Sequence, residues 1–219
     1  MQNKIRGVII FDLDGTLYEL VGGSFRKSLL RKKVLDNACR LIADKLKKNR
    51  SDAQKVLKKI RDDYGEHISI GLEKEFDIDR QIYFNTVWNI STQGIIKKEA
   101  KLRKTILELN KFYKLILLSD APRVWISCTL KALNVDDIFA NNIYSGEGDF
   151  RKGFSNAFRE IIKKIAINPK QCIAVGDQED TDIIPAKQLG MRTVFIAREK
   201  RSQIADHNIL KISDLLALL

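Results

Sequence analysis

The feature that constrains the fold most is the alternation of short apolar runs with helical segments in the second half of the chain. The apolar runs have the length of buried strands, and the segments between them repeat apolar residues at helical spacing. The predicted strands are 114–119, 142–145, 171–175 and 193–197, and the predicted helices are 101–112, 123–133, 154–165, 181–189 and 213–219. Strands that alternate with helices form parallel β-α-β units, so we predict an α/β fold with a doubly wound parallel sheet.

The N-terminal part contributes one more strand and then changes character. Residues 5–11 are largely apolar and rich in β-branched side chains, which is typical of a buried strand of the same sheet. From about 24 to 61 the apolar residues recur at helical spacing, with Ser51 and Asp52 as the predicted N-cap of a second helix. Two further helices are predicted near 68–76 and 79–90.

This order of elements predicts two structural units. Residues 1–17 and 99–219 would form a Rossmann-like core, and residues 18–98 would form an α-helical cap inserted after the first strand. Gly22 and Gly23 are the predicted hinge where the chain enters the cap, and residues 92–98 are the predicted return.

Polar side chains follow the ends of three predicted strands. Asp12 and Asp14 follow the first, Ser119 and Asp120 follow the second, and Asp177 follows Gly176 at the end of a third. The carboxyl ends of parallel strands share one edge of a sheet, where doubly wound folds bind their ligands. We therefore expect these side chains to converge on one site.

The segment Asp12–Leu17 carries the chemistry that we expect at this site. A carboxylate such as Asp12 can attack phosphorus as a covalent nucleophile. A second carboxyl group, Asp14, can protonate the leaving alcohol and later deprotonate a water. Gly15 allows the backbone to turn its N–H groups toward an anion, and Thr16 can hold the loop through its side chain.

Two carboxylates beside a phosphate group repel it, so the site needs a divalent cation. Mg²⁺ prefers oxygen ligands, usually one or two carboxylates together with waters and substrate phosphate. The predicted ligands are Asp12, the backbone carbonyl of Asp14, and Asp177, with Asp182 nearby. Asp180 is the alternative to Asp182.

With these motifs in this order, the sequence resembles the haloacid dehalogenase superfamily of phosphatases across essentially its full length. The segment Asp12–Leu17 is the most specific match, and Ser119, Lys152, Asp177 and Asp182 follow in the order of the family's motifs. The resemblance implies an aspartyl-phosphate intermediate on Asp12 and Mg²⁺ as the cofactor. It also implies that Asp14 is the general acid and base, a carboxylate that dehalogenating branches of the family lack.

The same resemblance implies the phosphate-binding groups. Ser119 and Lys152 would bind the transferred phosphoryl group together with the loop at Gly15 and Thr16. Two departures stand out: Asp120 follows Ser119 where the family usually has Asn or Gly, and Gly153 follows Lys152 where it often has Pro. Asp120 is expected to touch the phosphate or its waters. The alternatives to Lys152 are Lys163 and Lys164.

The insertion resembles the helical cap of the family's C1 branch. Short segments at 63–65, 70–72 and 76–79 are similar to pyrimidine 5′-nucleotidase-like members. The substrate expected from this resemblance is a nucleoside monophosphate or a sugar phosphate. A phosphomutase of the same superfamily is the alternative, because mutases share these motifs.

The net charge of +11 resides in one part of the chain. Residues 24–61 hold 14 Lys and Arg against 3 Asp, whereas the rest of the chain is balanced. A solvated lysine-rich surface is the preferred interpretation. The alternative is a protein with a vestigial core whose basic cap binds nucleic acid or an acidic partner.

The apolar stretches are too short to cross a membrane, and the segment before the first strand lacks the features of a signal peptide. Cys39, Cys128 and Cys172 are widely separated and form no metal-binding or disulfide pattern, so we expect buried thiols. These features predict a cytoplasmic protein without a membrane partner. The sequence leaves the oligomeric state open.

Overall fold

The computed structural model describes residues 5–148 and 157–219. Its strands are β1 (Gly7–Phe11), β2 (Glu19–Leu20), β3 (Ile96–Lys97), β4 (Tyr113–Ser119), β5 (Ile143–Ser145), β6 (Cys172–Gly176), β7 (Arg192–Ile196) and β8 (His207–Ile209). Its α-helices are α1 (Leu29–Leu46), α2 (Arg50–Tyr64), α3 (Ile68–Phe76), α4 (Arg80–Val87), α5 (Leu102–Asn110), α6 (Arg123–Leu133), α7 (Asp136–Phe139), α8 (Ala157–Ile165) and α9 (Ile184–Gln188).

Six strands form one parallel sheet in the order β5-β4-β1-β6-β7-β8. Strand β1 lies between β4 and β6, with Phe11 level with Leu117 on one side and Val175 on the other. The chain builds outward from β1 first through β4 and β5 and then through β6, β7 and β8. The order of strands therefore reverses at β1, which makes its carboxyl end the place where such a sheet binds a ligand.

Alternate residues of the central strands pack into two separate hydrophobic clusters. Ile9 and Phe11 belong to a cluster that continues into α5 and α6, whereas Val8 and Ile10 belong to one that contains residues of α8 and α9. Successive side chains of a strand point to opposite faces of the sheet. Helices thus cover both faces, and the predicted doubly wound α/β fold is confirmed.

The block α1 to α4 interrupts the core between β2 and β3. In this block α1 packs against α2 and α4, and α3 packs against α2 and α4. Strands β2 and β3 pair in antiparallel fashion, with Glu19 opposite Lys97 and Leu20 opposite Ile96. The chain thus leaves and re-enters the core through a two-stranded ribbon. The exact division of core and cap at residues 18 and 98 stays a prediction.

The predicted cap of the second helix is wrong. Helix α2 begins at Arg50, and its N-cap is Asn49, whose side-chain oxygen accepts a hydrogen bond from the N–H of Asp52 at 3.0 Å. Ser51 and Asp52 therefore lie inside the first helical turn. Asn caps helices as well as Ser or Asp does, so composition alone did not separate the two solutions.

Two predicted helices differ from those observed. The segment predicted at 181–189 is a wide turn at Glu179–Ile183 followed by α9, and Gly190, with φ of 82°, ends it as predicted. The segment predicted at 213–219 is a 3-10 helix at Ile212–Ala217. Only residues 157–165 of the segment predicted at 154–165 are described, and these are helical.

Two observations bear on the predicted location. Among residues 5–148 and 157–219, no helix is both long enough and apolar enough to cross a membrane. Cys39 and Cys172 are buried thiols as expected, but Cys128 is exposed on α6, so that expectation is wrong for one cysteine.

Candidate active site

The loop after β1 is held in place by its own backbone. The N–H of Asp12 donates to the carbonyl of Val175 at 2.9 Å, so the loop starts in register with β6. The N–H groups of Thr16 and Leu17 both donate to the carbonyl of Leu13, at 3.2 and 3.0 Å. Gly15 takes a φ of 89°, which closes this turn at the carboxyl edge of the sheet.

Three carboxylates meet at this edge. One oxygen each of Asp12, Asp177 and Asp182 lies within 4.8 Å of the others. Asp12 and Asp182 are only 6% and 1% exposed. Buried carboxylates of like charge this close together repel unless a cation or a proton lies between them. An all-oxygen set of this kind suits a hard divalent cation.

Two glycines make room for these carboxylates. A Cβ atom on Gly15 would lie 2.1 Å from Oδ2 of Asp177. A Cβ atom on Gly176 would lie 2.2 Å from Oδ2 of Asp182. Any side chain at either position would push a carboxylate out of the cluster. The glycines of both motifs are therefore part of the construction of the acidic site.

The wide turn after β6 contains both acids that the sequence left open, and it gives them different surroundings. Asp182 lies in the cluster, and its Oδ2 accepts a hydrogen bond from the N–H of Gln178 at 3.1 Å. In the part of the chain that the structure describes, Asp180 lies outside this cluster and is exposed. The geometry thus favours Asp182 as the second acid of the motif.

Thr16 fixes the side chain of Asp12. Its Oγ1 donates to Oδ2 of Asp12 at 2.8 Å, and the threonine is completely buried. A buried donor to a carboxylate limits the rotation of that carboxylate. Thr16 thus holds the loop through its side chain, as predicted, and its partner is Asp12, the proposed nucleophile. The contact of Thr16 with phosphate stays a prediction.

Asp14 follows Asp12 by two residues, and its carboxylate is engaged by two aromatic residues. The indole Nε1 of Trp125 donates to Oδ1 of Asp14 at 2.8 Å, and the hydroxyl of Tyr18 donates to the same oxygen. Burial, and then the charge of Asp14, raise the pKa of Tyr18 well above its ordinary value. Tyr18 therefore remains a neutral donor at physiological pH.

At the second predicted strand end, the side chain of Ser119 is engaged in a hydrogen bond within its own turn. Ser119 lies at the end of β4, next to β1, and is 1% exposed. Its Oγ accepts a hydrogen bond from the N–H of Ala121 at 3.2 Å, which shapes the turn into α6. Asp120 is exposed at the same edge. The roles of both residues toward phosphate stay predictions.

The predicted phosphate-binding lysine, Lys152, lies outside the described residues. Its two alternatives, Lys163 and Lys164, lie on α8 and are exposed. Nζ of Lys164 lies 5.3 Å from the centre of the Tyr144 ring.

Arg198, just after β7, is a site residue that sequence reasoning missed. Its guanidinium donates to the carbonyls of Gly15 and of Thr16, the latter at 3.2 Å. Burial lowers the pKa of Arg198, and the neighbouring charges of Asp177, Glu19 and Glu99 oppose that shift. The arginine thus holds the loop after β1 from the segment that follows β7. No local pattern around residue 198 indicated this contact.

A cavity of about 590 Å³ borders Gly15, Tyr18 and Asp177. Its walls include the ribbon β2–β3 and the segment after β7. The cavity is large enough for a small metabolite and joins the acidic edge of the sheet to the segments that lead into the helical block.

Comparison with known proteins agrees with this geometry. The chain matches the model of haloacid dehalogenase-like hydrolases over residues 7–190. It is 30% identical over 216 residues to a glyceraldehyde 3-phosphate phosphatase of Methanocaldococcus jannaschii, covering 90% of this chain and 88% of the relative. It is 25% identical to the glyceraldehyde 3-phosphate phosphatase of Pyrococcus furiosus, covering 97% of this chain and 92% of the relative.

Among solved structures, a haloacid dehalogenase-type phosphatase from Thermococcus onnurineus superposes with a TM-score of 0.68 at 19% identity, covering 97% of each chain. That likeness concerns the fold. The family match spans most of the chain, from β1 to Gly190, and so includes both aspartate motifs. The chain belongs to the haloacid dehalogenase-like hydrolases, in agreement with the resemblance seen in its motifs.

Proposed function

We propose that this enzyme hydrolyses a small phosphate monoester through an aspartyl-phosphate intermediate on Asp12, with Mg²⁺ as its cofactor. The observation that carries the proposal is the meeting of Asp12, Asp177 and Asp182 at the edge of the sheet. Asp14 follows Asp12 by two residues on the same loop. Membership in a hydrolase family supports the reaction class.

In the first half of the reaction, a carboxylate oxygen of Asp12 attacks phosphorus. The bond between phosphorus and the ester oxygen breaks, and the leaving oxygen takes a proton from the carboxyl group of Asp14. Thr16 supports this step because its hydrogen bond to Asp12 restricts the orientation of the nucleophile. The alcohol then leaves as a neutral product.

In the second half, the carboxylate of Asp14 takes a proton from a water molecule. The resulting hydroxide attacks phosphorus, and the bond between Asp12 and phosphorus breaks. Inorganic phosphate is released, Asp12 is again a carboxylate, and Asp14 again carries its proton. One residue thus acts as acid and then as base, as microscopic reversibility requires.

The residues that would hold Mg²⁺ are Asp12, Asp177 and the backbone carbonyl of Asp14, with Asp182 binding the ion or one of its waters. When bound, the ion would offset the repulsion between these carboxylates and the phosphate group. The oxygen-only donor set and the space that Gly15 and Gly176 leave open support this assignment.

The phosphoryl group would be bound by the loop at Gly15 and Thr16, by the hydroxyl of Ser119 and by Lys152. Asp120 would contact the waters around the phosphate. Ser119 is well suited because it is buried at the end of the strand next to β1. Oxyanion stabilisation by such preset donors commonly supplies a large part of the rate enhancement.

For the substrate we favour a sugar phosphate over a nucleoside monophosphate. The relatives from Methanocaldococcus jannaschii and Pyrococcus furiosus carry the name glyceraldehyde 3-phosphate phosphatase, and each matches this chain nearly end to end. A three-carbon aldehyde phosphate is therefore the first candidate. We also propose a cytoplasmic location for the enzyme.

The test is phosphate release from glyceraldehyde 3-phosphate, a pentose phosphate and a nucleoside 5′-monophosphate, each with Mg²⁺ and with EDTA. The variant Asp12→Asn removes the nucleophile, and Asp180→Asn is its matched control because Asp180 is an exposed aspartate near the site. We expect Mg²⁺-dependent release by the wild type and by Asp180→Asn, and none by Asp12→Asn. Undiminished release by Asp12→Asn would refute the covalent mechanism.

A further inference from the structure

We propose that Tyr18 and Trp125 are positioning residues that together hold the carboxyl group of Asp14 for proton transfer to the leaving oxygen. The inference deepens the proposed function and rests on it. Neither aromatic residue belongs to the motifs from which the reaction was inferred.

The argument begins with the direction of the two hydrogen bonds. The indole Nε1 of Trp125 donates to Oδ1 of Asp14 at 2.8 Å, and the hydroxyl of Tyr18 donates to the same oxygen. A proton on Oδ1 would compete with both donors. Proton transfer from Oδ2 would keep both hydrogen bonds, and the two donors fix the orientation of the carboxyl group.

The second step concerns rigidity. Tyr18 and Trp125 are both completely buried, so water does not compete for their donor groups. Both are large rings packed within the main hydrophobic cluster, which restricts their rotation. A hydrogen bond in such surroundings is stronger than one in water, and a donor left without an acceptor would be costly. The pair thus restricts Asp14 more than one exposed donor could.

The third step concerns where the two residues come from. Tyr18 precedes β2, where the chain leaves the core, and its backbone pairs with that of Asp14 in an isolated bridge. Trp125 lies in the first turn of α6, which follows β4 and Ser119. Asp14 is therefore held between two separate strand ends of the same site. An active-site acid needs this kind of support to keep a productive geometry.

The experiment compares two substrates that differ in their need for an acid. Phenyl phosphate releases a basic phenolate that benefits from protonation, whereas p-nitrophenyl phosphate releases a stable anion that does not. For each preparation the ratio of the two kcat/KM values is measured, because kcat/KM reports the first half of the reaction, in which the alcohol leaves. This ratio is independent of the folded fraction, so partial unfolding of a variant does not obscure the result.

The variants are Tyr18→Phe, Trp125→Phe and the double substitution, with Asp14→Asn as the reference for a lost acid. Tyr64→Phe is one control, because its hydroxyl donates to a different carboxylate, Glu75, at 2.7 Å. Trp88→Phe is the other, because Trp88 stacks on Phe25 in the helical block.

We expect each site variant to lower kcat/KM for phenyl phosphate about tenfold and kcat/KM for p-nitrophenyl phosphate no more than about twofold. The double variant should approach the ratio of Asp14→Asn, and both controls should keep the wild-type ratio. Equal loss on both substrates, or no loss, would overturn the positioning role. If the wild type releases phosphate from neither aryl phosphate nor sugar phosphate, the proposed function fails with it. A leaving-group effect in Asp14→Asn alone would refute only the inference about Tyr18 and Trp125.

Discussion

Two regions of the molecule concentrate charge in opposite physical settings. One is the acidic edge of the sheet, with Asp12, Asp177 and Asp182, and the other is the basic face of the helical block, which we define as the Lys and Arg residues of α1, α2 and the turn between them. At the edge, Asp12 and Asp182 are almost entirely buried, and each accepts a specific hydrogen bond, from Thr16 and from the N–H of Gln178. On α1 and α2, the charged side chains are largely exposed. Arg40 there pairs with a residue of its own helix at 2.6 Å, with 69% of its side chain accessible.

This difference indicates in which region a single substitution should have a large effect. Buried carboxylates depend on particular partners, because water is not there to replace a lost one. Exposed ion pairs contribute little individually, since solvent and salt screen them. We therefore expect large effects from one substitution at the edge of the sheet, and only collective effects on the basic face.

Among substitutions that keep every carboxylate, the largest effect is expected from Gly15→Ala. The new Cβ would lie 2.1 Å from Oδ2 of Asp177, and the φ of 89° adds backbone strain. Displacement of a carboxylate by about 1 Å should lower kcat/KM at least about 100-fold. The matched control is Gly65→Ala, where φ is also positive, at 60°, but no atom lies within 4 Å of the added Cβ.

Gly65→Ala isolates the backbone strain, which should cost about 1–3 kcal/mol of unfolding free energy and leave kcat/KM unchanged. Thermal unfolding and steady-state rates of the two variants separate the effects. Near-wild-type activity of Gly15→Ala would show that the acidic cluster tolerates displacement, and would break the contrast between the two regions.

A smaller effect is expected from Thr16→Val, which keeps the shape of the side chain but removes the donor to Asp12. We expect kcat to fall about tenfold because the nucleophile loses its orientation. The control is Thr129→Val on α6, which is equally buried. Within the described part of the chain, Oγ1 of Thr129 has no hydrogen-bond partner, so its loss should leave kcat unchanged. Equal rates for wild type and Thr16→Val would contradict the assigned role.

On the basic face we expect weak and additive behaviour. Lys45, Lys47, Lys48 and Lys59 are exposed or near the surface of α1, α2 and the turn between them. Replacing all four by Gln should lower kcat/KM about threefold at low ionic strength through lost attraction of the anionic substrate. The difference in kcat/KM between this variant and the wild type should vanish at about 0.5 M salt. A loss that persists at high salt would show that the lysines contact the substrate directly.

The smallest effect concerns the thiols. Burial raises the pKa of Cys172 to about 11, so its thiol stays neutral across the working range of pH, whereas Cys128 is exposed. Alkylation of the native protein by iodoacetamide near neutral pH should label Cys128 and spare Cys172. Peptide mass spectrometry measures the labelling at each site. Equal labelling of both cysteines would mean that the core around β6 opens readily.

The sequence predicted those contacts that leave a local pattern in the chain and missed those that leave none. The apolar runs and the acids that follow them predicted that Asp12 and Asp177 would meet, because the carboxyl ends of parallel strands share an edge. The donors Trp125 and Arg198 come from positions 111 and 183 residues from the loop atoms that they contact, and no periodicity encodes such pairs.

The sequence did not predict strands β2, β3 and β8, and the reason is simpler. Strands β2 and β3 have two residues each, too few for an alternating pattern, and β8 is a three-residue strand with polar His207 and Asn208. Their pairing is decided by neighbouring strands rather than by local preference. The predicted start of α2 was displaced from the observed start at Arg50 because several good capping residues lie close together in that segment.

The most direct test of the central claim is to look for the phosphoryl group on Asp12. Wild-type enzyme is mixed with Mg²⁺ and glyceraldehyde 3-phosphate labelled in its phosphate, or with a labelled alternative that it hydrolyses, and is quenched in acid within a single turnover. We predict labelled protein whose label is released by hydroxylamine, as an acyl phosphate requires, and maps to the peptide containing Asp12. Rapid release of labelled phosphate with no label on the protein would contradict the covalent mechanism.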